Sequence, residues 1–275
     1  MAANRLETLF ARLQTENRPA LVTFVTAGDP DPDTGYRIFS GLANAGADII
    51  ELGMPFSDPM ADGPAIQLAN QRALAAGMTL EKTLGQVEAF RRQDPDTPII
   101  LMGYYNPIYH YGVKPFLERA LDAGVDGLIV VDLPSEEDDE LCHPARAQGI
   151  DWIRLTTPTT NDERLKTVLK NASGFVYYVS IAGITGTASA RHSDVREALS
   201  RIRRQTDLPL AGGFGIKNAE HVRTTGEYAD AVVVGSAIIN IVRSCHENNT
   251  DTAETVRQVS EFVAELASGC TPRGQ

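Results

Sequence analysis

Eight short runs dominated by Val, Ile, Leu and Thr recur along the chain, at 20–26, 48–53, 98–104, 127–132, 151–155, 175–180, 208–212 and 230–235. Their hydrophobicity is continuous, as in Leu128-Ile129-Val130-Val131 and Val232-Val233-Val234. A strand with one wet face alternates polar and apolar residues, whereas a parallel strand covered on both faces does not. Parallel neighbours cannot be joined by a hairpin and need a crossover of a dozen or more residues. Most runs begin 22 to 33 residues after the one before, the length of one strand and one helix.

The intervening segments carry helical spacing. Tyr36, Phe39, Leu42 and Ala43 form one such stripe, and Leu165, Val168 and Leu169 form another behind the cap candidates Thr160 and Asn161. A weak echo repeats along the chain: Ala45-Gly46-Ala47-Asp48 and Ala123-Gly124-Val125-Asp126 each precede a strand, and Tyr228-Ala229-Asp230 repeats the pattern without glycine. Glycine at such a point supplies the left-handed end of a helix. Eight strand–helix units with no Pro- or Ser-rich linker predict an α/β fold, a single closed (β/α)8 TIM barrel spanning residues 1–275, with an open doubly wound sheet as the alternative. Before the first strand, Leu6, Leu9, Phe10 and Leu13 give an extra N-terminal helix one apolar face, suited to covering the bottom of the barrel.

Composition excludes several functions. With 36 acidic and 25 basic side chains the net charge is −11, which argues against a nucleic-acid partner. The longest charge-free stretch, 171–190, is too rich in Ser, Thr, Gly and Asn to span a bilayer, so no membrane segment is expected. Arg5 and Glu7 interrupt the start before an export signal can form, and a cytoplasmic location is expected. Cys142, Cys245 and Cys270 are widely spaced, and the five histidines never cluster, so neither a disulfide framework nor a metal site is expected.

In such a barrel the chemistry belongs at the C-terminal ends of the strands. There Glu51 puts a lone carboxylate inside an apolar strand, a position that needs either an ion-pair partner or a catalytic use. The interval from 48 to 98 is longer than the rest, with room for two helices behind a loop stiffened by Pro55, Pro59 and Pro64. That loop carries Asp58 and Asp62; Asp58, before proline, reads as a turn residue, and Asp62 can fold back over the barrel mouth. The seventh strand is followed by Gly212-Gly213-Phe214-Gly215, which reads as the opening of a helix, and the eighth by Gly235-Ser236. Loops after strands seven and eight are frequent phosphate sites, because glycine lets backbone N–H groups and helix termini approach an anion. After strand six, residues 183–189 have the small, polar composition of a closing lid.

The stretch Glu51-Leu-Gly-Met-Pro-Phe-Ser-Asp-Pro-Met-Ala-Asp-Gly-Pro64 resembles the signature of the tryptophan synthase α subunit, and residues 24–30, 183–186, 213–215 and 235–236 match it in order and spacing. The resemblance implies a lyase that splits indole-3-glycerol phosphate into indole and glyceraldehyde 3-phosphate by a retro-aldol step with no cofactor. It puts Glu51 on the general acid/base and Asp62 on the carboxylate that binds the indole N–H. Phe24, Met102, Tyr104 and Tyr177 fall on or near the indole pocket, and Gly186, Gly213, Phe214, Gly215, Gly235 and Ser236 on the phosphate loops. It also implies a partner, a pyridoxal-phosphate β subunit that takes the indole in an α2β2 heterotetramer, with Asp58, Pro134 and Ser135 as contact points. Three alternatives stay open: a barrel kept only as a structural partner, a phosphosugar isomerase or epimerase, and a stand-alone indole producer.

Overall fold

The computed structural model describes residues 4–179, 192–213 and 215–274. Its strands are β1 (Ala20–Thr26), β2 (Ile49–Gly53), β3 (Ile99–Gly103), β4 (Gly127–Val130), β5 (Asp151–Trp152), β6 (Arg154–Thr156), β7 (Val176–Tyr178), β8 (Leu210–Gly212) and β9 (Ala231–Val234). All pairings are parallel, in the order β5-β4-β3-β2-β1-β9-β8-β7-β6. The two ends of this row are separated in sequence by Ile153 alone, so the sheet closes on itself as a (β/α)8 barrel. The fifth run is thus one barrel strand in two pieces: Asp151 and Trp152 pair with β4, Arg154 to Thr156 with β7. Closing a barrel staggers each strand against its neighbours. This short strand meets its two partners at different heights.

The long interval holds two helices, Pro64–Ala75 and Leu80–Arg91. The helix Arg5–Glu16 starts on Asn4, whose side chain accepts from the N–H groups of Leu6 and Glu7. Leu6, Leu9 and Leu13 are buried against Ala20, Val22, Ile49, Ile100, Ile129, Ile153, Phe175, Ala211, Ala231 and Val233. These residues form the lower barrel interior, and the N-terminal helix plugs it. The opposite face of the strands packs on the surrounding helices through residues such as Leu21, Leu52, Leu101 and Val232.

The echo before the strands is a hydrogen-bonded staple. The N–H of Asp48 donates to Leu21 O at 2.9 Å, and the N–H of Leu21 donates back to the Asp48 carboxylate at 2.9 Å. Asp126 makes the same exchange with Ile99 at 2.9 and 2.8 Å, and Asp230 with Leu210 at 2.8 and 2.9 Å. In the fourth equivalent place Ser173 exchanges with Trp152, both bonds at 2.9 Å. Each carboxylate also holds arginine: Arg18 grips Asp48, Arg91 and Arg5 grip Asp126, and Arg203 and Arg273 grip Asp230. One staple therefore joins strands one and two, three and four, five and six, and seven and eight at the bottom of the barrel.

The charged staples are worth more than the neutral one. Asp126→Ala leaves the largely buried Arg91 guanidinium without its counter-charge, at a cost of about 3 kcal/mol. Ser173→Ala removes a neutral hydrogen bond, at a cost of about 1 kcal/mol. Urea unfolding of the two variants measures this ordering; equal midpoints would show that the ion pairs add nothing to the staple.

Candidate active site

Glu51 lies in β2 beside Phe24 of β1 and Ile100 of β3. Ile49 faces the barrel interior, so the period of two sends Glu51 inward one layer higher. The residue is 1% exposed, and its Oε1 has no hydrogen-bond partner among the described residues. No cation compensates it there. Burial alone pushes its carboxyl up to about 8, so the group is mostly protonated at neutral pH. Of the two readings of this residue, the structural ion pair finds no partner among the described residues.

Asp62 stands at the end of the loop that follows β2, just before the helix Pro64–Ala75. The loop is stitched from several sides. Met54 N–H donates to Met102 O at 2.8 Å, Asp62 N–H to Pro59 O at 3.0 Å, and Ala61 N–H to the Tyr104 hydroxyl at 3.0 Å. Phe56 stacks near Tyr104 with centroids 5.3 Å apart. The buried Asn70 fixes both ends: its Oδ1 accepts from Phe56 N–H at 3.2 Å, and its Nδ2 donates to Asp62 Oδ2 at 3.3 Å. Partial burial raises the Asp62 carboxyl to about 6, and hydrogen bonds from Tyr104 and Asn70 oppose that rise. Asp62 is therefore mostly anionic where Glu51 is mostly neutral. Two carboxyl groups with separated pKa values are suited to separate tasks.

A cavity of about 380 Å³ opens above Glu51. Its walls include Phe24, Met102 and Tyr177 together with Gly213, Gly215, Gly235 and Ser236. Burial and the nearby Glu51 carboxylate push the Tyr177 hydroxyl well above the usual phenol range, keeping it a donor. A smaller space of about 10 Å³ lies beside Asp62 and Tyr104, sharing Phe24, Ile66 and Met102 with the first.

The two glycine loops differ in what requires glycine. A Cβ at Gly213 would stand 2.2 Å from the Val233 carbonyl oxygen, so the close approach of the chain after β8 to β9 excludes any side chain there. At Gly235 a Cβ would meet Phe24 at 3.2 Å, a crowding of the cavity wall. Gly215 has a φ of +60° and nothing near it, the left-handed turn that only glycine makes freely. The first loop does not open a helix directly, as the sequence suggested. The helix Ala219–Gly226 begins later, capped by the Asn218 side chain, which accepts from His221 N–H. After β9, Gly235 leads straight into the helix Ser236–Glu247, which has no side-chain cap, so its first N–H groups are left for another acceptor.

Most of the expected residues converge on these two spaces: Phe24, Glu51, Met102, Tyr177, Gly213, Gly215, Gly235 and Ser236 on the larger, and Asp62 and Tyr104 on the smaller. Gly186, Phe214 and the lid 183–189 lie outside the described residues. Sequence reading missed Ile66, Asn70, Lys217 and Asn240. Ile66 and Asn70 sit four apart on one helix face, and an asparagine in the buried company of Ala69 and Ala73 was the available signal. Among the described residues no cluster of three or more His, Cys, Asp or Glu side chains is suited to a metal ion, and the three cysteines are unpaired.

The chain as a whole is similar to solved structures. The tryptophan synthase subunit alpha of Legionella pneumophila str. Paris superposes with a TM-score of 0.90 at 38% identity, covering 98% of this chain and 99% of that one. A tryptophan synthase chain of M. tuberculosis, crystallised in an aminoacrylate-bound form, superposes with a TM-score of 0.86 at 30% identity, covering 98% and 100%. The tryptophan synthase alpha chain family matches residues 10–270. The chain belongs to that family. Tryptophan synthase alpha chains are lyases of tryptophan biosynthesis that cleave indole-3-glycerol phosphate to indole and glyceraldehyde 3-phosphate, and this chain has that activity. Alpha chains of this family work with a β subunit.

The pKa of Glu51 fixes how this alpha chain responds to pH. Its folded value near 8 lies above the ordinary 4.5, so the native state holds the proton that the unfolded chain releases. Stability is therefore lost as pH rises between those values, on the order of 1.4 kcal/mol for each pKa unit. Glu51→Gln removes this dependence. Its stability relative to the unmodified chain is expected to grow by a few kcal/mol between pH 5 and pH 8, read from urea midpoints. A difference that stays constant across that range would mean that Glu51 is not a buried, proton-holding group.

Proposed function

We propose that Glu51 is the general acid/base of indole-3-glycerol phosphate cleavage and that Asp62 is the anion that holds the indole N–H. The supporting observation is a buried carboxyl group with no partner among the described residues, on a cavity that is also lined by glycine loops and the start of a helix without a side-chain cap. Breaking the bond between indole C3 and the glycerol carbon needs a proton at C3, removal of the glycerol hydroxyl proton, and support for positive charge on the indole nitrogen. Glu51 enters protonated and gives its proton to C3. The carboxylate left behind takes the hydroxyl proton as the carbon–carbon bond breaks, which restores the starting state. Asp62, held anionic by Tyr104 and Asn70, stabilises the indoleninium-like intermediate. Phe24, Met102, Tyr104 and Tyr177 enclose the indole, and Gly186, Gly213, Phe214, Gly215, Gly235 and Ser236 bind the phosphate. No cofactor enters this scheme, and the whole chain acts as one barrel domain.

The same reading assigns the rim to a pyridoxal-phosphate β subunit in an α2β2 assembly. Asp58 and Pro134 are exposed, as are the apolar Met60, 82% exposed, and Tyr109, 67% exposed, and all lie after strands two, three or four. Exposed apolar side chains gathered on one rim favour a docking partner over a stand-alone enzyme. Arg154, buried in β6, donates to Leu133 O at 3.1 Å and pairs with Asp138, which fixes the loop bearing Pro134 and Ser135. Among the described residues no helix is long and apolar enough to cross a membrane, and we assign the complex to the cytoplasm.

Two measurements test the proposal. Glu51→Gln is expected to lower indole release by about 10²–10⁴-fold without loss of fold. The rate should fall below pH 6, where Asp62 gains a proton, and above pH 8, where Glu51 loses one. Near-normal turnover by folded Glu51→Gln would end the acid/base assignment. Adding the cognate β subunit should stimulate indole release strongly; equal rates with and without it would support the stand-alone enzyme.

A further inference from the structure

Among the described residues that line the cavity above Glu51 is one whose charge the scheme above does not use. Lys217 follows Gly215 and Ile216 on the loop after β8 and lines the cavity together with Gly213, Gly235 and Ser236. Ile216, 5% exposed, is packed into the core outside the barrel and anchors the loop at that point. Asn218, on the other side, is committed to capping the helix Ala219–Gly226. Between these two anchors Lys217 is exposed, and among the described residues it has no ion-pair or hydrogen-bond partner. Among the described residues that line this cavity it is the only cation, and Glu51 is the only acid.

We infer that Lys217 is the charge-compensating anchor for the phosphate group of the substrate. This rests on the phosphate assignment of the two glycine loops and adds a residue that neither the sequence reading nor the loop geometry requires. Backbone N–H groups and a helix terminus offer an anion fractional charge and direction. A phosphate monoester carries close to two negative charges at neutral pH. The chain around it has a net charge of −11, so the average field of the protein opposes the approach of that group. The Glu51 carboxyl, held neutral by burial, adds no repulsion of its own. Among the described lining residues one ammonium on a flexible stem is therefore the integral positive charge on offer, and its three donors suit oxygen atoms that arrive from different angles. An exposed cation beside a bound dianion acts through water, so its effect is moderate and sensitive to salt. The neutral indole portion of the substrate should be indifferent to it.

The test compares the unmodified chain with Lys217→Gln and Lys217→Arg. Each is titrated with glycerol 3-phosphate and with indole in buffers of low and high ionic strength, and each is assayed for indole-3-glycerol phosphate cleavage. The expected result for Lys217→Gln is about a tenfold loss of glycerol phosphate affinity at low salt, equivalent to about 1.4 kcal/mol. Its affinity should also depend less on salt, its indole affinity should be unchanged, and its kinetic loss should fall on KM more than on kcat. Lys217→Arg should recover most of the affinity. Unchanged affinity and unchanged salt dependence in Lys217→Gln, with the parent chain binding glycerol phosphate normally, would overturn the role of Lys217 alone. Failure of the parent chain itself to bind glycerol phosphate would overturn the phosphate assignment and this inference together.

Discussion

A buried carboxyl group with no counter-charge among the described residues, set inside an apolar barrel, is the constraint on which the rest of this structure depends. An ionised carboxylate in that position costs several kcal/mol, so Glu51 keeps its proton and becomes a donor at neutral pH. This state survives only if water is kept from below. The N-terminal helix meets that need: Leu6, Leu9 and Leu13 seal the interior in one cluster with Ile49, the inward residue under Glu51 on the same strand. The cavity above supplies the other condition, an opening from the rim with no cation paired to the group among the described residues. Lys217, the one cation among the described residues of its wall, follows the glycine loop after β8, where we propose that the phosphate binds.

Asp62 solves the opposite problem with different means. It remains an anion near neutrality although it is partly buried, because Tyr104 and Asn70 offer it hydrogen bonds. Asn70 also holds Phe56, so one amide sets both ends of the loop. The prolines limit the loop's own freedom, and the side-chain contacts decide where its carboxylate comes to rest. Loop stiffness and carboxylate position are thus parts of one arrangement.

The barrel was legible in the sequence because strands buried on both faces leave continuous apolar runs, and each of the eight runs contains an observed strand. The break at Ile153 was not legible, since it arises from the stagger between neighbours rather than from any residue in the run. Glu51 and Asp62 were legible through their unusual setting, one in an apolar strand and one in a proline-stiffened loop. Sequence left the purpose of Glu51 undecided, and the structure offers the ion-pair reading no partner among the described residues. Asn70 and Lys217 escaped notice because their importance comes from what the fold brings near them. Asn70 is an ordinary polar residue on a helix until Asp62 is folded back against it, and Lys217 an ordinary surface lysine until a cavity forms beside it. Gly213 was read as a phosphate-loop glycine, yet the Val233 carbonyl alone would demand glycine there.

The staples at the bottom of the barrel make the scaffold mechanically unequal along its axis. Four strand pairs are each clamped at their N-terminal ends by a two-way exchange of hydrogen bonds, three of them reinforced by arginine. The far rim has no such repeated clamp among the described residues; its connections are individual, as at Asn70 and Arg154. Deformation imposed at the rim by a ligand or a docked protein is therefore absorbed where the structure is compliant and dies away toward the clamped end. In a barrel built in this way the base acts as a fixed reference frame, against which the rim loops are positioned one by one.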